Sequence, residues 1–373
     1  MTIPPSGNTP PSNGVFQPPH GGGPSQYPPY PQQPWQQPPA PKGGGGLKWL
    51  LGCVALLAII VLTVVVTISV AGNGDRSSVS ASSESEDPPR SGLASANDTG
   101  PAAIIVEDAT CAAQGPIFST WVADTQHGWG DRDPLLPASA WTPEIRSQYE
   151  DAARVMRQTA DELTPLVKAT PHRVMRELYQ QFMAYARAYA DAVPTYTPTD
   201  NYLARVTIAA ADAVANICAA IDYKSAPARA PLVTPHTSPK DVPGTMDAER
   251  PSPFLTKNDV VCEDWGSMLK RFDSDTIKWS ETSPDIPASQ WAPEQRQIFD
   301  DVTPVMRRLA SQLQALGAQS DNHTLRDFAD LSAQYRMGYV EALPTYTPAD
   351  KYLANASIRL AGLVNSACQA VEK

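Results

Sequence analysis

The chain has 373 residues, 39 acidic and 29 basic, for a net charge of −10. Lys42 and Lys48 are the only charged side chains in residues 1–72, so the remainder carries −12. That balance excludes the basic surface nucleic acid requires to displace its counterions, and it excludes a basic patch for anionic lipid.

Residues 1–46 hold fourteen prolines and nine glycines, with Tyr27, Tyr30 and Trp35 interspersed. A segment of this composition has too little apolar surface to build a core, and it predicts a disordered tail with polyproline-II character. Its PPYPQQPWQQPP stretch has the chemistry to dock on an aromatic groove of a cytosolic partner. The plainer reading is a solvated, flexible tail.

Residues 47–72 predict a transmembrane helix. From Trp49 to Ala71 no residue is charged, and 23 residues of helix span about 34 Å, against a hydrocarbon core of about 30 Å. The run is too long, and preceded by too many residues, for a cleaved secretory signal. Lys42 and Lys48 lie before it, whereas Asp75, Glu84, Glu86 and Asp87 follow. The positive-inside rule then places the N-terminus in the cytoplasm and the rest outside the plasma membrane. The Pro/Gly/Gln/Tyr-rich tail, the Gly43–Gly46 run leading through Leu47 and Lys48 to Trp49, and the Val-rich span together resemble uncharacterised proline-rich single-pass membrane proteins of actinobacteria, mycobacteria especially. The resemblance covers the first 72 residues. It implies a mycobacterial-type envelope and no particular activity.

Residues 73–100, dominated by Ser, Gly, Asp and Glu, predict a flexible stalk. Beyond them the chain repeats itself at an interval of 150 residues. PTYTPTDNYLA at 194–204 returns as PTYTPADKYLA at 344–354, and PASAWTPEIR at Pro137 returns as PASQWAPEQR at Pro287. Such a duplication marks two units of common fold, here 101–223 and 256–373. Between them, 224–255 is a proline-rich linker whose extended reach of about 90 Å lets the repeats move independently, although nothing in it forbids them from packing together.

Each repeat reads as about four helices. Thr142-Pro143-Glu144 supplies a cap, a proline at the first helical position and an acid in the first turn. Thr170-Pro171 and Thr197-Pro198-Thr199-Asp200 mark two further starts, and a shorter helix carries Cys111, Phe118 and Trp121. Cys53 falls in the span, leaving two cysteines per repeat at matching ends. An exterior location and the duplication favour disulfides Cys111–Cys218 and Cys262–Cys368, each worth about 4–5 kcal/mol by loop closure. The fold class expected is all-α: two tandem disulfide-stapled helical bundles outside a single transmembrane helix.

The repeated PTYTPxDxYLA motif is the sharpest candidate for function. Every residue type in it suits a rigid helix–helix corner, with Thr197 and Thr347 as caps and Asp200 and Asp350 at the positive end of a helix. The functional alternative makes Tyr196, Tyr202, Tyr346 and Tyr352 a recognition surface. Trp121 and Trp129 sit in WVADTQHGWGDRDP, a stretch the second repeat lacks, and repeat-specific loops on a shared scaffold are where distinct partners are read. No histidine is shared between the repeats, there is no CxxC, and no hydrolase, P-loop or dinucleotide motif occurs. No catalytic residue, metal or cofactor is therefore expected. The expected role is a non-catalytic, membrane-anchored binding or adaptor protein of the cell envelope, engaging an envelope protein or ligand. The alternatives are an envelope hydrolase using acidic residues, or a transmembrane signal relay acting through the tail.

Overall fold

The computed structural model describes residues 92–126, 128–239, 242 and 247–372. The proline-rich tail, the Trp49–Ala71 span and most of the stalk lie outside the described residues. Those described are helical, with no strand among them. In the first repeat the helices are α1 (Cys111–Gln126), α2 (Pro143–Glu162), α3 (Thr164–Ala169), α4 (Arg173–Ala192) and α5 (Asn201–Asp222). A short α6 (Ser225–Arg229) follows, and the second repeat runs through α7 (Cys262–Asp275), α8 (Ile277–Ser280), α9 (Pro293–Gly317), α10 (His323–Ala342) and α11 (Lys351–Val371).

Helix starts follow from local chemistry. The Thr142 hydroxyl accepts the Ile145 N–H at 3.3 Å, with Pro143 opening α2. Thr164-Pro165 separates α2 from α3, because proline cannot continue the backbone ladder. The second repeat has Gln314-Ala315 there, and α9 runs unbroken to Gly317. One start shifts from the expectation: α4 begins at Arg173, and the Thr170 hydroxyl instead donates to the buried Asp108 carboxylate at 2.6 Å. Ser320 repeats this contact on Asp259 at 2.8 Å.

Disulfides Cys111–Cys218 and Cys262–Cys368 join the first and last helix of each repeat. The two repeats pack on one another. Their last helices, α5 and α11, pack together along alanine-rich faces, and the buried residues of both repeats form one core. Across that seam Arg359 meets Asp212 at 3.2 Å.

The segments leading into the repeats are exchanged. Ile105, ahead of α1 in the first repeat, donates its N–H to the Tyr335 hydroxyl of the second at 3.3 Å. Leu255, ahead of the second repeat, donates to Tyr185 of the first at 3.4 Å. Gly338 makes room for the first arm, since a Cβ there would collide with the Ile104 side chain. The stalk prediction also shortens: Leu93 and Ser95 are buried, and Asp98 accepts the Arg173 backbone N–H at 2.6 Å. The linker is likewise held. Arg229 forks onto Asp350 at 3.1 and 3.0 Å, and Phe254 sits between Tyr185 and Phe328.

Among the described residues one helical stretch, Pro198–Asp222, is long and apolar enough to cross a membrane, with 67% of its apolar window buried inside the fold. It contains the disulfide-bonded Cys218 and packs as a core helix.

Candidate functional site

The duplicated corners are buried. Tyr196 and Tyr346 are 1% and 2% exposed. Their hydroxyls donate to the carbonyls of Pro134 and Pro284 at 2.8 and 2.6 Å. Tyr196 packs against Trp141 and Tyr149, as Tyr346 does against Trp291 and Phe299. Burial pushes both phenols far up. At each corner the aspartate does the capping: the Asp200 carboxylate accepts the Thr197 N–H at 2.7 Å and its hydroxyl at 2.9 Å, and Asp350 accepts those of Thr347 at 2.8 and 3.0 Å. The rings that would face a partner therefore face the core. Tyr202 and Tyr352 are half-buried and are not brought together with them. Tyr202 lies under Arg205, and Tyr352 stacks on Tyr223 with centroids 5.2 Å apart. Trp121 is also core, edge-on to Phe118 and Phe182.

Trp129 is buried as well, at 5% exposed, but reaches the core from a tight turn. The chain leaves α1 and returns tightly through Gly128, whose φ is +76°, and Gly130, where a Cβ would collide with the Gln126 carbonyl. A positive φ costs glycine little and other residues more, which accounts for the first of these. The return swings the indole back against the bundle, where its N–H donates to the Tyr189 hydroxyl at 2.7 Å. Arg132 covers the ring at 3.7 Å and donates to the Trp129 carbonyl and to Asn201. The indole then forms part of the wall of an open cavity of about 360 Å³ between α1 and α2, lined also by Asp124, Gln148, Asp151, Ala152, Arg154 and Val155. Arg154 reaches Asp151 at 3.4 Å, both well exposed. Asp124 has no ion pair among the described residues.

The second repeat has the corresponding packing of α7 on α9. Thr125 and Thr276 fix the register, each donating its hydroxyl to a carbonyl one turn back, on Trp121 and Phe272 respectively, at 2.8 Å. Asp275 is thus the counterpart of Asp124. Arg308 from α9 meets Asp275 at 3.1 Å. In the first repeat Gln158 stands where Arg308 would be, and it donates along its own helix to Glu162 at 3.0 Å.

A family profile described as mycobacterial ESX-1 associated protein matches residues 93–372, all but the ends of the two-repeat unit. The chain belongs to this family. An uncharacterized protein of Mycolicibacterium smegmatis strain MKD8 is 52% identical over 371 residues, covering 99% of this chain and 97% of the relative. No solved structure matches.

For this member of the ESX-1 associated family, the acids sort into caps and a sealed cluster. At the start of α2 a backbone N–H, and then the Thr142 hydroxyl, hold Glu144 below its ordinary range. Arg173 of α4 forks onto Asp327 of α10 at 2.7 and 2.9 Å, joining the repeats. Beside them Glu177 is buried, and desolvation followed by the nearby Asp327 charge pushes its carboxyl well up. Sequence reasoning missed this cluster because its members are 154 residues apart; the signal available was that Glu177 and Asp327 occupy equivalent positions in the two repeats. No group of three or more metal-ligating side chains occurs among the described residues.

Proposed function

We propose that this chain is a non-catalytic, membrane-anchored binding module of the mycobacterial envelope that acts with the ESX-1 secretion system and docks its partner in the groove beside Trp129. The observation that carries the reading is an open cavity of about 360 Å³ in the first repeat, between α1 and α2, whose lining includes the exposed Asp124, Gln148, Asp151 and Arg154. The family description supports the association with ESX-1. The charge-free Trp49–Ala71 run supports a single-pass anchor with the N-terminus in the cytoplasm and the repeats outside. The groove rather than the tyrosine corner is the docking face, because its lining includes the exposed polar side chains of Asp124, Gln148, Asp151 and Arg154, whereas Tyr196 and Tyr346 are sealed in the core. An envelope hydrolase using acidic residues is the alternative: of the carboxyls raised by burial, Glu177 is enclosed between the repeats, while Asp330, pushed up to about 6, stands beside His236 at 3.6 Å. Signal relay would act through the tail and a cytosolic partner.

A photoreactive residue at the exposed position Gln148 tests the proposal in intact cells, with Asp301 on the second repeat's seam as control. Capture of an ESX-1 component from Gln148 and not from Asp301 is expected. Equal capture from both positions, or none from Gln148, overturns the docking face.

A further inference from the structure

We propose that the segment leaving the first repeat is a strap fastened to α10 by a pH-sensitive latch, His236 on Asp330, and that the strap lifts as pH rises through neutrality. Its course up to the latch is set by contacts of other kinds. Arg229 forks onto Asp350, Val233 is buried, and the Thr234 carbonyl accepts the Gln334 side-chain amide of α10 at 3.1 Å. One helical turn back along α10, His236 Nδ1 lies 3.6 Å from the Asp330 carboxylate. The imidazole is 36% exposed and the carboxylate 21%. Solvent and protons therefore reach the pair, while partial burial still penalises an unmatched charge on the acid.

The other charges around Asp330 are engaged elsewhere. From its own helix it meets Arg326 and Asp327, from α4 Arg173, and from the strap His236. Arg173 is forked onto Asp327 at 2.7 and 2.9 Å, and Arg326 reaches His323 Nδ1 at 2.6 Å. Among the described residues His236 is the cationic group within ion-pair distance of Asp330. Desolvation pushes the Asp330 carboxyl up to about 6, with His236 opposing the rise and Asp327 adding to it. Below that value the strap lies on a neutral acid, and near it on an ion pair. Above it the carboxylate is ionised, and histidine is the side chain whose charge is ordinarily lost between pH 5 and 8. A part-buried carboxylate then faces a neutral ring, and lifting the strap returns that carboxylate to water. The first repeat has Gln180, which does not ionise, at the equivalent position of α4, so the latch belongs to the second repeat alone.

The test uses the full chain in detergent micelles and follows amide hydrogen exchange by mass spectrometry at about pH 5.5 and about pH 7.5, which bracket the histidine range. Rates are corrected for the intrinsic pH dependence of exchange, and peptides of the buried helix α5 serve as the internal reference. Protection of residues 230–239 should fall severalfold at the higher pH, and by more than that of α5. Asp330→Asn should remove the fall and leave the strap protected at both values. This change puts a neutral amide where the first repeat already has one, so the fold should accept it. His236→Lys keeps a cation opposite the acid at the higher pH and should also hold the strap down. Equal protection of the wild-type strap at both values overturns the latch, as does a fall no larger than that of α5. An undiminished fall in Asp330→Asn removes the acid from the device, and an undiminished fall in His236→Lys removes the histidine; either result overturns it too.

Discussion

The two corners and the two seams teach opposite lessons about one duplication. At the corners the sequence is almost unchanged, and the structure accounts for Tyr196, Tyr346 and the Thr–Asp pairs by burial, capping and hydroxyl–carbonyl bonds. At the seams the acid persists and its arginine is exchanged for glutamine. Identity between repeats therefore marks what the fold demands. Divergence beside an unchanged scaffold marks where the repeats have been freed to differ.

The largest effects should come from breaking what the repeats share. Removing Cys111–Cys218 or Cys262–Cys368 by serine substitution should each cost about 4–5 kcal/mol in the chain-entropy treatment. Because the arms are exchanged and the core is common, urea unfolding of either variant should remain a single transition. Two separated transitions would show that the repeats fold as independent bodies.

Tyr196→Ala and Tyr346→Ala come next, each expected to cost about 3–5 kcal/mol as a buried aromatic truncation. Their near-equality is the informative part, since the two sites make matching contacts. A tenfold weaker effect on one side would assign that corner a role beyond packing.

Much of this architecture was legible in the sequence, and the reasons are local. Thr142-Pro143 announces a helix start through the geometry of a cap, and cysteines at matching ends of a duplication restrict their own pairing. What could not be read is long-range. Nothing in Ile105 or Leu255 announces that each bonds a tyrosine of the other repeat, and nothing in Arg229 announces Asp350, 121 residues away. The groove was only half legible. The HGWG turn draws attention to Trp129, but the relation of Asp124 to Asp275 requires a one-residue shift in alignment around α1, which hides the contrast between Gln158 and Arg308. The tyrosine motif drew attention for the converse reason: repetition reports selection without saying whether stability or binding was selected.

The sealed cluster gives a pH test of the contact between repeats. The folded state holds the Glu177 carboxyl well above the ordinary glutamate value of 4.5. The native state thus binds its proton more tightly than the unfolded chain, and the contribution is fully present below pH 4.5. It is lost as pH rises through the folded value, at about 1.4 kcal/mol for each unit by which the two differ. Urea unfolding across this range should show stability falling with rising pH in the wild type, and less steeply in Glu177→Gln. An unchanged slope would mean that Glu177 is ionised and matched by Arg176, which it approaches at 3.8 Å.

The smallest energetic effect bears most directly on the seams. Arg308→Gln converts the second seam to the composition of the first, and Gln158→Arg does the reverse. The Arg308–Asp275 bridge is half-exposed, so each change should move stability by less than about 1 kcal/mol. A larger loss in Arg308→Gln would make the bridge a structural staple, and the open seam of the first repeat would then be a place where a staple was dispensable. A small loss would mean that the bridge chiefly occupies a surface.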